Sequence, residues 1–242
     1  MPDFSRRSRA IEWLDTAAPA RAERAAYFES LAFFNRVMLG HRPVLTWLAS
    51  VLRGVRAGET ITLLDVGCGY GDLLRAIRRW ALRRGVPARL IGVDVEADTI
   101  AIAREATAAA DAIDYLAADV FNLRPSVRID FVVSSLLAHH LDDERLIAFV
   151  RWMEATAQRG WLIADLERHL VPYHAIGLAG RLMRIHPMVI KDGRISVTRA
   201  LGPHEWRPLA AAAGIDPRVV ELRSFLYRVA VSRRKKADSE RR

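Results

Sequence analysis

The chain has 242 residues, 51% of them hydrophobic, with a formal net charge of +9 and one cysteine. That length suits one large domain or one domain with an appended lid, and a single thiol, Cys68, excludes an internal disulfide framework and a multi-cysteine metal site. No apolar run reaches the ~18 residues of a membrane span, and the start, Met1-Pro-Asp-Phe-Ser-Arg-Arg, lacks the apolar stretch of a secretory signal, so a cytoplasmic protein is expected.

In chain order, residues 1–20 are irregular apart from one possible helical turn at Ile11-Glu-Trp-Leu-Asp15. From Arg21 to Leu39, Tyr27, Phe28, Leu31, Phe34 and Met38 share a face at helical spacing, and Gly40 stops the helix. A second helix starts near Pro43 and runs to about Leu52. These two helices either pack on a sheet or cover its ligand end; the spacing allows both. Ile61-Thr-Leu-Leu-Asp65-Val-Gly67-Cys68-Gly69-Tyr70-Gly71-Asp72 then reads as strand, glycine turn and helix, the helix running from Leu73 to Leu82. Glycine lets backbone approach a ligand closely, and the helix offers its free N–H groups at the same place. Further strands are expected at 89–94, 114–119, 129–135 and 160–165, with helices at 97–110 and 143–158 between them. Asp65 and the ends of three of these strands, Asp94, Asp119 and Asp165, place acids where open α/β sheets bind ligands.

The alternation of strand and helix indicates a doubly wound parallel sheet. The rhythm breaks over 166–200, an insertion rich in His, Met and Pro that is expected to lie over the ligand end as a lid. A helix from Gly202-Pro203 to Gly214 follows, then two strands, 215–222 and 225–232, close enough to form a hairpin. The expected organisation is an N-terminal helical cover (1–56), a main α/β domain (57–232) carrying the lid, and a disordered basic tail (233–242). That tail holds six basic and two acidic residues, and only Lys191, Lys235 and Lys236 among the 37 basic residues are lysines. Charge runs are usually solvated, so nucleic acid is not the expected partner.

The glycines at 67, 69 and 71 do not fit the dinucleotide fingerprint, whose third glycine would fall at Asp72, and no Walker Gly-Lys-Ser or Gly-Lys-Thr follows. Leu-Asp65-Val-Gly-Cys-Gly-Tyr-Gly71 resembles instead the first motif of class I S-adenosylmethionine-dependent methyltransferases. The resemblance continues through Gly-Val-Asp94, Ala-Ala-Asp119-Val120 and Asp130-Phe-Val-Val-Ser-Ser with the following Leu-Ala-His-His-Leu, covering about residues 60–232. It implies a Rossmann-like sheet of seven strands with the last antiparallel, and S-adenosylmethionine as cofactor. It also implies Asp94 on the ribose hydroxyls, with Val95 beside it, and Asp119 with the Val120 backbone on adenine. Asp65 and the Gly67 and Gly69 backbone would face the methionine moiety, and Cys68, Gly71 and Ser134 complete the expected cofactor set. Cys68 is read as a small residue in a tight turn, because transfer from a sulfonium needs no enzyme nucleophile.

The leaving group is already activated, so no metal is expected; a hydroxyl or amine acceptor benefits from a general base and from alignment. His140 and His139, after the fourth strand, are the candidate bases; in this family such a corner can also be purely structural. Asp165 and Arg168 either orient that histidine and hold the acceptor or form an ordinary ion pair, and His169 and the lid suit a largely apolar, aromatic acceptor. A narrower resemblance links Leu31-Ala-Phe-Phe-Asn35-Arg36-Val-Met-Leu-Gly40-His41-Arg-Pro and Asp165-Leu-Glu-Arg168 to small bacterial methyltransferases associated with type III polyketide synthases. It implies a phenolic, quinone-like or polyketide acceptor methylated on oxygen or carbon, with Asn35, Arg36 and His41 closing the cofactor pocket. An RNA methyltransferase and a non-catalytic partner protein of the same fold are the alternatives; the sequence sets no oligomeric state.

Overall fold

The computed structural model describes residues 2–16, 19–56 and 58–235. Three helices come first: α1 (Trp13–Thr16), α2 (Arg21–Val37) and α3 (Arg42–Val51). The alternating body follows as β1 (Ile61–Val66), α4 (Asp72–Arg83), β2 (Ala88–Asp94), α5 (Ala97–Glu105), β3 (Ile113–Ala117), β4 (Phe131–Ser135), α6 (Asp143–Thr156) and β5 (Gly160–Leu166). The expected lid is two helices, α7 (Leu170–Leu182) and α8 (Pro187–Arg199), and the chain then continues with α9 (Trp206–Ala212), β6 (Val220–Phe225) and β7 (Arg228–Arg234).

The seven strands lie in the order β3-β2-β1-β4-β5-β7-β6. The pairs among β1 to β5 are parallel, and β7 enters antiparallel between β5 and β6. The winding reverses between β1 and β4, so the loops after those two strands diverge and leave a crevice at their carboxyl ends. The glycine turn follows β1 and the His-His corner follows β4, which is why residues about 70 positions apart in sequence meet there.

Each face of the sheet is covered by apolar residues at helical spacing. Val44, Trp47 and Leu48 of α3, with Leu74, Ile77 and Ala81 of α4 and Ile100 and Ala103 of α5, pack on one face. Leu146, Phe149, Val150 and Met153 of α6 and Trp206 and Leu209 of α9 pack on the other. The two N-terminal helices therefore divide the two roles that the spacing left open. Whereas α3 belongs to the sheet core, Tyr27, Phe28 and Phe34 of α2 form a separate cluster with Ile185 and Val189 of the lid. Asp142 starts α6 by accepting the Arg145 N–H at 2.8 Å, a side-chain cap on an otherwise open helix end.

The terminal hairpin lies later than its hydrophobic pattern suggests. Pro217–Val219 forms a short 3-10 turn, and Phe225 pairs with Arg228 across a two-residue loop. Leu226 and Tyr227 in that loop have φ of 47° and 58°, the left-handed pair that matches the twist of a tight hairpin. Strand β7 then runs to Arg234, so Arg233 and Arg234 are strand rather than tail, and Lys235 Nζ donates to Glu154 O and Ala157 O. The remainder of the expected tail lies outside the described residues.

Candidate functional site

The glycine turn is built by backbone that only glycine adopts readily. Gly67, Gly69 and Gly71 have φ of 68°, 49° and 74°, in the left-handed region. At Gly71 an added Cβ would overlap the Tyr115 hydroxyl, and at Gly67 it would come within 3.0 Å of Leu137. The Gly67 and Cys68 N–H groups both donate to Val93 O, at 2.9 and 3.0 Å, which ties the turn to the end of β2. Asp94 completes that tie: its Oδ2 accepts the Gly69 N–H at 2.9 Å and its Oδ1 the Glu96 N–H at 3.1 Å.

A cavity of about 660 Å³ opens on this turn, with Asp65, Gly67, Cys68, Gly69, Asp94 and Val95 on its wall. Asp65 is 1% exposed, and its Oδ1 has no hydrogen-bond partner among the described residues. Burial first, then the nearby charges of Asp72 and Asp94, push its carboxyl well above the ordinary range. A buried acid oxygen left without a donor, beside backbone shaped for close approach, fits a cationic ligand group. Burial and the same surrounding acids push the Cys68 thiol up, so it stays protonated and is no nucleophile.

The opposite wall carries the titratable groups. His139 is 3% exposed, its Nδ1 lies 2.7 Å from Asp165 Oδ1, and its backbone N–H donates to Asp165 Oδ2 at 2.9 Å. Burial opposes charge on this ring, but Asp165 and Glu12 outweigh it and raise its pKa to about 9. His140, half-buried, has its Nδ1 3.3 Å from Asp15 Oδ2, and the two rings lie 4.4 Å apart. Leu136, which leads into this corner, has φ of 59°, an uncommon value for a residue with a side chain. Arg199 of α8 clamps the corner from outside, with Nε on His139 O, Nη2 on His140 O and Nη1 on Asp15. Tyr27, Phe28, Leu31 and Phe34 of α2 and Ile176 and Val189 of the lid supply an apolar roof.

The structure gathers most of the expected residues but not all. Asn35 lines the cavity, where its Oδ1 accepts from Arg228 Nη2 at 3.3 Å; His41 also lines it and pairs with Asp72 at 2.9 Å. Arg36 faces solvent over the Phe33 ring. Ser134 is fully buried and donates to Val66 O at 2.9 Å, bracing β4 to β1, and Ser135 reaches the cavity in its place. Arg168 points away from Asp165. Its guanidinium bonds Phe4 O, Ala200 O and Glu205, which makes it a strut between the N-terminal segment and the end of the lid. His169 is exposed, accepts the Val171 N–H to cap α7 and stacks on Tyr227 at 5.1 Å. Asp119 and Val120 lie outside the cavity wall: Asp119 Oδ1 accepts the Phe121 N–H at 3.0 Å, and Val120 packs on the sheet core. Sequence reasoning missed Glu12, Asp15 and Arg228. Only the short helical turn at Ile11–Asp15 hinted that the first segment was ordered.

A second, wider groove of about 1310 Å³ lies on the other side of α8, between it and the N-terminal segment. Arg6, Arg9, Arg181, Arg184, Lys191 and Arg194 line it, but it holds none of the turn glycines or strand-end acids. It is larger than the first cavity and lacks the groups that chemistry at a bound cofactor requires.

Residues 63–160 match the family described as a methyltransferase domain. Human N-acetylserotonin methyltransferase in complex with SAM is similar in structure, with a TM-score of 0.63 and 17% identity over 90% of this chain and 57% of that one. The plantazolicin methyltransferase BpumL, solved with SAH and a monoazolic desmethyl analogue, is similar with a TM-score of 0.63 and 14% identity, covering 89% of this chain and 95% of its own. In sequence, 89 residues are 29% identical to a non-reducing polyketide synthase of Penicillium shearii; they make up 36% of this chain and 4% of the synthase. At these identities the structural likeness establishes the fold.

Proposed function

We propose, from the methyltransferase-domain match over residues 63–160, that this chain transfers a methyl group from S-adenosylmethionine to an oxygen or carbon of a small, largely apolar aromatic acceptor. One observation carries the reading. A single cavity joins the Gly67–Gly69 turn, the unpartnered Asp65 oxygen and strand-end Asp94 to a histidine–carboxylate cluster under an apolar roof. Bound there, the cofactor supplies an electrophilic methyl on a sulfonium, whose departure leaves S-adenosylhomocysteine.

The residues divide the work by their chemistry. Asp94 accepts from the two ribose hydroxyls, which its position at the end of β2 and its half-buried carboxylate support. Asp119 stands beyond the cavity wall, so it takes the adenine amino group only where the base extends past that wall, and then through Oδ2, since Oδ1 is held by the Phe121 N–H. Asp65 holds the ammonium group. Arg228 is 8% exposed, lines the cavity and has Asn35 as its side-chain partner, and so suits the cofactor carboxylate. Acceptor and methyl are brought in line between this cradle and the Tyr27, Phe28 and Ile176 roof. The acceptor's proton leaves at the Glu12–His139–His140 end of the pocket. His139 is a positioning residue there, because its buried ring is held on Asp165 through Nδ1; His140 presents the less buried ring.

The narrower resemblance to polyketide-associated methyltransferases supports a phenolic, quinone-like or polyketide acceptor. Titration calorimetry is expected to show one equivalent of S-adenosylhomocysteine binding per chain; heat-silent titrations together with no retention on gel filtration overturn the proposal. One observation favours a nucleic-acid substrate instead, namely the basic groove beside α8. Its test is a chain ending at Lys235, which keeps β7 intact: salt-sensitive retention of tRNA by that chain would support RNA, and none is expected.

A further inference from the structure

Three side chains from two remote stretches of sequence converge at the polar end of the acceptor pocket. Glu12 comes from the N-terminal segment, and His139 and His140 come from the 3-10 turn after β4. Glu12 Oε1 lies 3.5 Å from His139 Nε2, and Glu12 Oε2 lies 3.7 Å from His140 Nε2. The cluster's ligating atoms all fall within 4.8 Å of one another. These gaps lie at the long limit of a hydrogen bond or beyond it. Ligand atoms sharing one ion, at bonds of about 2.0–2.2 Å and tetrahedral angles, sit about 3.3–3.6 Å apart, so the 3.5 Å gap falls in that range and the 3.7 Å gap just outside it.

The far side of each ring repeats the pattern. His139 Nδ1 sits on Asp165 at 2.7 Å and His140 Nδ1 on Asp15 at 3.3 Å. A carboxylate on Nδ1 keeps a proton on that nitrogen, so that an ion displacing the other ring proton meets an Nε2 lone pair, which is how metal-binding imidazoles are commonly held. Glu12 is itself oriented, with Ser196 Oγ donating to its Oε1 at 2.8 Å. Each donor thus has an outer partner that aims it at a common point.

We propose that Glu12, His139 and His140 form a site for one divalent first-row transition ion, such as zinc, iron(II) or manganese(II), at the floor of the pocket. Two nitrogens and one carboxylate suit these ions, and the face toward the cavity remains open to an acceptor oxygen. The proposal rests on the reading of this cavity as the acceptor pocket. Coordination lowers the pKa of a bound hydroxyl. The O–H proton then passes to water, and the freed oxygen lone pair forms the new bond to the methyl carbon while the C–S pair stays with sulfur.

The test uses the full chain without a histidine tag, stripped with chelator and titrated with Zn²⁺ and, separately, Co²⁺. One equivalent of ion retained through gel filtration is expected, with visible d–d absorption for cobalt. Glu12→Gln and His140→Gln should each lose the ion, while Asp165→Asn, which keeps all three ligands, should bind it about 10–100-fold more weakly. Lack of stoichiometric retention by the unaltered chain, or full retention by the Glu12→Gln/His140→Gln double variant, overturns the site. Binding of S-adenosylhomocysteine is measured on the same preparations. An unaltered chain that binds it but no ion removes the ion site alone, and one that binds the ion but never the nucleoside removes the methyltransferase reading alone. Where Glu12→Gln also loses the nucleoside, the half-buried His140→Gln decides.

Discussion

Replacing Asp94 by alanine is expected to weaken S-adenosylhomocysteine binding by about 100-fold, as two hydrogen bonds to a charged group are lost at about 1.5 kcal/mol each. The carboxylate does two jobs in the structure: it holds the Gly69 and Glu96 N–H groups, and it faces the cavity. Asp94→Asn separates them in part, because its one amide oxygen retains an acceptor for one of the two backbone N–H groups while the charge offered to the ribose is lost. Calorimetry on the two variants should give a partial loss for asparagine and the full loss for alanine. Arg228→Met should cost about 10-fold, one charge-assisted contact. Equal affinities across all three variants and the parent would remove the ribose and carboxylate assignments together.

The second large effect belongs to the histidine corner. His140→Ala and Glu12→Ala are each expected to lower turnover by about 100-fold or more, the usual contribution of a positioned proton-transfer group, while leaving S-adenosylhomocysteine affinity unchanged. The proposed cofactor cradle is made by β1, β2 and the turn between β1 and α4, whose backbone ties run to Val93 and Asp94. The measurement is methyl transfer from labelled cofactor to a panel of phenolic and quinone-like acceptors. Full turnover in both variants would show that the acceptor loses its proton without this cluster. A matching loss of cofactor affinity would instead make the corner part of the cradle.

The glycine turn was legible in the sequence for a local reason. Strand, glycine turn and helix are contiguous, and the need for positive φ at 67, 69 and 71 leaves a direct mark on residue type. Asp94 was legible because parallel strands put their carboxyl ends on one edge. Residue-level facing at strand ends was not. Ser134 and Ser135 have the same side chain, and the alternation of a strand sends only one of them to the cavity. Arg168 shows the same limit from the other side: a basic residue three positions after a strand-end acid suggests a pair, yet the guanidinium turns back to Phe4, Ala200 and Glu205.

By itself, the sequence determined the seven strands, their alternation with helices and the glycine turn after β1. These depend on periodicity and on backbone conformations that few residues allow. Only the tertiary structure decided what stands opposite. Glu12 lies in a segment with almost no local pattern, and it gains meaning when Arg199 and Ser196 of α8 fasten that segment against His139 and His140. A buried carboxylate between two imidazoles is a long-range contact, held by charge and hydrogen bonding against the cost of burial, at a distance in sequence where no spacing rule operates.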